Sequence, residues 1–213
     1  MARRIPGSAR SPCHDAAVIG LVLAVALGIL VGFARGGSFK TLSEARLHAV
    51  PIVFAGVVMQ IGAAVADAAD LRWLAFGLVV ASFASVFAFA AFNFMLPGMT
   101  LIGAGALCNF VVIAANGGMP VSVEALQEVG LDNPFVEGGK AIVKGAHRAL
   151  TDDSKVRFLA DVIPVNLMAN VISIGDILIW AGILLLIQQL MVGPRGKRRR
   201  GAKKLASARS ERD

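Results

Sequence analysis

LMANVISIGDILIWAGILLLIQQLMV, residues 167 to 192, holds a single charged side chain, Asp176, in a run that is otherwise apolar apart from a few small polar and amide residues. At about 1.5 Å of rise per residue, such a run crosses a hydrocarbon core roughly 30 Å thick. Read as one helix, it makes the chain an integral membrane protein. Composition agrees: 56% of the residues are hydrophobic and 16% charged, against about 25% charged in soluble domains. Mean hydropathy is +0.71. The apolar residues also fall in long blocks, which a soluble helix with one wet face does not carry.

Four more blocks reach spanning length, at about 16–33, 49–66, 71–92 and 98–115. NFMLP (93–97) is so short that the third and fourth blocks must form a hairpin, with Pro97 near the start of the fourth helix. The expected fold is all-α: a bundle of five transmembrane helices in one membrane domain, 1–192. A partly helical extracytoplasmic loop covers 116–166, and a basic cytoplasmic tail, 193–213, is expected to be disordered. In the loop, Ser122 is placed to cap a short helix through VEALQEV, and 140–150 (KAIVKGAHRAL) is read as a second short amphipathic helix.

Charge orients the bundle. The tail carries nine Lys and Arg against Glu211 and Asp213, which places it in the cytoplasm and the amino end outside the plasma membrane. Arg35, Lys40 and Arg46 then lie inside and Asp67 and Asp70 outside, while Arg3, Arg4 and Arg10 oppose the assignment. Reading the first block as a cleaved signal would leave four spans and strand the tail outside. KRRR and KK also resemble a nucleic-acid patch, but a topology determinant touching anionic lipid headgroups is the simpler reading, and no nucleic-acid partner is expected. Cys13 and Cys108 form no paired or metal-binding pattern.

A carboxylate in hydrocarbon costs roughly 2.5 to 3.5 kcal/mol on insertion scales, so Asp176 must face protein or water. Counting residues puts Gln60 and Asn109 about 16 Å from the inner edge and Asp176 about 14 Å from the outer one. All three fall near the midplane, and a cluster of Gln60, Asn109 and Asp176, with Ser173 one turn above, is expected. Gly98, Gly105, Asn109 and Asn116 share one stripe of the fourth helix, and Gly56, Gln60 and Ala64 one of the second, so these are the expected packing faces. Such a cluster serves either as polar glue or as a proton or cation site. His147, with Asp152, Asp153 and Asp161, is the material for metal or acid–base chemistry in the loop, but the spacing matches no HExxH, GxSxG or Cys/His pattern. His48, four residues after Glu44, reads as an interfacial residue with a helical ion partner.

ANGGMPVS (115–122), His147 followed by LTDDSKVRFLADVIP (150–164), and VISIGD (171–176) resemble the signature blocks of a family of small bacterial multi-pass membrane proteins catalogued as a domain of unknown function. The chain departs from the family pattern at Ala160, where a Gly is common, and at Asn166, where a Pro is common. The resemblance implies no substrate, cofactor or catalytic residue. It does mark Asn116, Gly117, Gly118, Pro120, His147, Asp161, Pro164, Ser173, Gly175 and Asp176 as motif positions, and it motivates a loop that folds back so that NGGMP and DVIP meet near Asp176.

Three functions are carried forward: a non-catalytic accessory or scaffold protein, an ion- or proton-coupled transport component using Asp176, and a membrane enzyme using His147 and Asp161. No cofactor and no metal are expected. The expected partners are the bilayer and a second copy or another membrane protein.

Overall fold

A computed structural model describes residues 12–131, 136–137, 140–141, 143–144 and 146–193. The basic tail and the arm bearing Arg3, Arg4 and Arg10 lie outside the described residues. Five long helices dominate: α1 (Pro12–Ala34), α3 (Val50–Ala68), α4 (Arg72–Phe92), α5 (Met99–Asn116) and α7 (Ile174–Val192). Two short ones are α2 (Phe39–Ser43) and α6 (Val123–Glu128). Four helices, α3, α4, α5 and α7, are long and apolar enough to cross a membrane, and α1 adds the apolar stretch Ile19–Ala34.

The backbones of the long helices approach closely in one order, α3, α4, α5, α7, α1, with α1 and α3 at the two ends. The expected bundle takes the form of an open row. A close seam joins α5 and α7. Gly98 meets Gly182 and Gly105 meets Gly175, glycines seven apart on each helix and hence on one face. A Cβ on Gly182 would stand 2.7 Å from the Gly98 carbonyl oxygen, so only hydrogen fits. Along the neighbouring seam Gly20 faces Trp180, Gly28 faces Ile187 and Gly32 faces Met191, which makes α1 and α7 parallel. Gly56 packs on Ser85 of α4, as its stripe suggested, but Ala64 is exposed.

At the hairpin end, buried Asn93 accepts from the His48 N–H (2.8 Å) and donates to the carbonyls of His48 (2.8 Å) and Phe89 (2.9 Å). This one amide ties the turn before α5 to the entry of α3. Residues 45–48 are not helical, so Glu44 and His48 are not one helical turn apart as expected.

The loop departs from an all-helical reading. Ser122 does cap α6, accepting from the Ala125 N–H at 3.1 Å. The rest is built of short strands: β1 (Met119–Val121), β2 (Val136–Glu137), β3 (Lys140–Ala141), β4 (Val143–Lys144), β5 (His147–Ala149), β6 (Ile163–Val165) and β7 (Asn170–Ile172). Strands β3, β4 and β5 replace the helix expected over 140–150. β5 lies parallel to β1 and antiparallel to β4, where cross-strand bonds satisfy its backbone. β6 and β7 form an antiparallel pair in which Ile163 faces Ile172 and Val165 faces Asn170, and four of the six residues are β-branched, as a pleated surface favours.

The fifth long helix also starts later than its hydropathy suggests. Residues 166–173 form a 3₁₀ turn (Asn166–Met168), a left-handed Ala169 with φ 45°, and β7. Helix α7 begins only after Ser173. We expect Gly182→Ala to destabilise the protein by about 1–3 kcal/mol in detergent unfolding, because the added methyl overpacks a seam that cannot widen locally. Gly77→Ala, where a Cβ meets nothing within 4 Å, should be neutral or stabilising.

Candidate functional site

The polar residues gather where the strand-bearing segment 117–173, called the cap below, meets α5 and α7. Ser173 is the N-cap of α7: its hydroxyl accepts from the Asp176 N–H at 3.1 Å, and its own N–H donates to Asp176 Oδ2 at 3.0 Å. This reciprocal capping box satisfies two backbone donors that a helix start otherwise leaves unpaired. Asn109, from the middle of α5, donates its amide to Asp176 Oδ1 at 2.9 Å. The Ser173 hydroxyl lies 2.8 Å from Asp176 Oδ2 and 3.1 Å from Asn109 Oδ1, and its single proton can serve either. Gly175 lets Asn109 in, because a Cβ there would collide with the Asn109 amide. Asp176 is half-buried and sits in the first turn of α7 rather than deep within a helix. Its oxygens are met by the Ser173 N–H, the Ser173 hydroxyl and the Asn109 amide at the positive end of the helix.

Gln60 does not join this layer. It is half-buried on α3, two helices away in the row, so the expected trio becomes Asn109, Ser173 and Asp176. The common depth assigned to Asn109 and Asp176 rested on a helix starting near 167. Asn109 lies seven residues, about 10 Å, below the end of α5, and the two still meet because α7 starts low beside α5.

Above this layer the three sequence motifs converge. Gly117 (φ 69°) and Gly118 (φ 151°) end α5 in conformations that glycine adopts without strain. Buried Asn116 reads the backbone of Lys155: Nδ2 donates to the Lys155 carbonyl at 2.9 Å and Oδ1 accepts from the Lys155 N–H at 2.7 Å. Arg148 donates to the Asn116 carbonyl at 2.5 Å. Asp161 then pairs with β1, its N–H donating to the Pro120 carbonyl and its carbonyl accepting from the Ser122 N–H, both at 2.9 Å. Pro164 lies in β6, opposite Val171. NGGMP and DVIP thus meet through the single bridge at Asp161, while β6 itself pairs with β7.

His147 and Asp161 flank β1 on opposite edges, His147 opposite Met119 and Asp161 opposite Val121. Two strand spacings, about 10 Å, separate their backbones. The structure does not bring this acid–base pair together, and Asp152 and Asp153 are exposed, Asp152 pairing with Arg157 at 3.2 Å. No group of three metal-donor side chains occurs among the described residues. Asp161 is nevertheless unusual. It is 5% exposed, and its Oδ1 has no hydrogen-bond partner among the described residues. Burial pushes its carboxyl well above the usual carboxylate range, and the Asp176 carboxylate adds to the effect.

The family model described as a family of unknown function, DUF5317, matches residues 44–188, more than half of the chain. The chain belongs to the DUF5317 family. The match begins before α3 and ends near the end of α7, so it covers the α5–α7 seam and the whole cap that make up the site. An uncharacterised protein of Thermotoga maritima is 38% identical over 112 residues, 51% of this chain, and the chain spans 61% of that relative's length. No solved structure matches. DUF5317 membership therefore supplies a family without an assigned activity, and function must be argued from the site.

Three buried amides were not legible as such in the sequence: Asn93, Asn170 and Gln188, the last accepting from Arg35 at 2.9 Å. Asn93 sits in a hairpin turn whose shortness is its plainest signal, and Asn170 and Gln188 interrupt an apolar run of spanning length. Ser173→Ala should cost about 1–2 kcal/mol by removing the cap of α7, whereas Gln60→Leu should leave stability within about 0.5 kcal/mol of wild type. Both are measurable by denaturant titration in mixed micelles.

Proposed function

We propose that the protein is a five-span protein of the plasma membrane, amino end outside and carboxyl end in the cytoplasm, that works as a non-catalytic accessory or scaffold. The open row of helices carries this reading. At its end α3 buries only Gly56, Ala63 and Ala66, leaving Phe54, Val58, Ile61 and Val65 more than 60% exposed. A face this apolar suits lipid together with a second copy or another membrane protein. The parallel run of α1 beside α7 supports counting α1 as a span, and the basic residues at 35, 40, 46 and in the tail support the orientation.

Transport is the second reading, and it moves from Asp176 to Asp161. The Asp176 oxygens are both engaged in capping and in the Asn109 bond, while Asp161 Oδ1 has no partner among the described residues. The enzyme reading loses its support with the separation of His147 from Asp161.

In a Cys13→Ala, Cys108→Ala background, a membrane-impermeant maleimide should label Asp153→Cys on intact cells and Ser43→Cys only after permeabilisation. The reverse pattern contradicts the orientation. A photo-crosslinker at Val58 should give discrete protein adducts. Lipid adducts alone, together with an Asp161-dependent proton flux in proteoliposomes, would replace the scaffold with a carrier.

A further inference from the structure

Asp161 is held in place by its backbone and not by its side chain. Its N–H and carbonyl are both paired to the β1 edge, and the preceding Ala160 is buried in one apolar cluster with Met119 and with Val112 and Ile113 of α5. The carboxyl is therefore carried into the interior, where Oδ1 meets no donor among the described residues. An ionised carboxylate there has lost water and gained nothing in return. A protonated one is neutral and tolerable.

The surrounding groups reinforce the choice. Asp176, on α7, is the charged group that acts on Asp161, and its negative charge is already matched by the α7 cap and Asn109. β1 and β6 supply no titratable side chain facing it. His147 and Arg148 lie across β1, with Arg148 donating to Asn116. Lys155 and Arg157 on its own segment are exposed, as are Glu124 and Glu128 on α6. Among the described residues no cation is placed to neutralise Asp161 in the interior. A single positive charge small enough to enter without a donor shell is a proton.

We propose that Asp161 is a proton-binding site, and that its bound proton keeps residues 155–161 docked between β1 and the α5–α7 seam, so that losing it opens this edge of the cap. The inference stands on the cap alone and does not depend on membrane orientation or on the scaffold reading. The sign follows from linkage. The native pKa lies above the unfolded value of about 3.9, so the stability of the docked edge is complete below about pH 3.9 and is lost as pH rises through the native pKa.

Hydrogen exchange on the full-length protein in detergent tests this, with each rate divided by that of an unstructured peptide at the same pH. The Asp161 and Ser122 amides, which form the pairing, should lose protection about tenfold per pH unit between the ordinary carboxyl range and the native pKa, then level off. Asp161→Asn should abolish that pH dependence. Asp176→Asn, which removes the neighbouring charge, should shrink the total loss and end it at a lower pH, and it provides the test if Asp161→Asn does not fold. Protection that ignores pH in the wild type, or profiles that coincide in wild type and Asp161→Asn, would overturn the proposal. So would protection restored at high pH by added CaCl2 in the wild type alone, because the site would then hold a metal ion.

Discussion

The capping box between Ser173 and Asp176 decides where α7 begins, and much else follows from that point. A helix start buried beside another helix must find partners for its free N–H groups, since no water reaches them. Ser173 and Asp176 supply those partners locally, and Asn109 supplies the last donor to the carboxylate from α5. With the start placed there, Gly175 falls opposite Gly105 and Gly182 opposite Gly98. The polar bond and the glycine contacts therefore specify the same register. Either alone would tolerate a shift of one turn. Together they do not.

A low start for α7 also leaves room for the cap to descend. Residues 170–173 are buried, yet they are strand and turn rather than helix, and β7 packs beside α1. Irregular backbone at such a place is tolerable where protein covers it and its polar groups are paired, here by β6. Asn116 performs the same task one layer higher, presenting an amide that pairs with Lys155 as a strand would. The cap is thus built on the ends of α5 and α7 by backbone pairing, and Asp161 is carried inside by that pairing, whatever its side chain prefers.

Hydropathy located α3, α4 and α5 within about two residues of their ends, because both termini of each lie at turns rich in Gly, Pro, Asn or Asp. It misplaced the start of α7 because Leu167, Val171 and Ile172 are as apolar as the helix that follows. The signal that corrects this was present: Ser173 and Asp176 have the spacing of a capping box, followed directly by ILIW. The glycine and asparagine stripe of α5 was legible because period and residue size are local properties. The row of helices and the exclusion of Gln60 were not, since hydropathy reports that a helix is apolar and not which helix it touches. The strands of the cap were also hidden, because segments of two or three residues are set by their partners and carry too short a pattern to read.

One bond joins α5 to the start of α7, and a double-mutant cycle on Asn109 and Asp176, each replaced by Ala singly and together, measures it most directly. Unfolding free energies in mixed micelles should show a coupling of about 1 kcal/mol or more, as expected for a hydrogen bond to a charged group that also orients a helix cap. Free energies that add within about 0.3 kcal/mol would contradict it. The start of α7 would then owe nothing to α5.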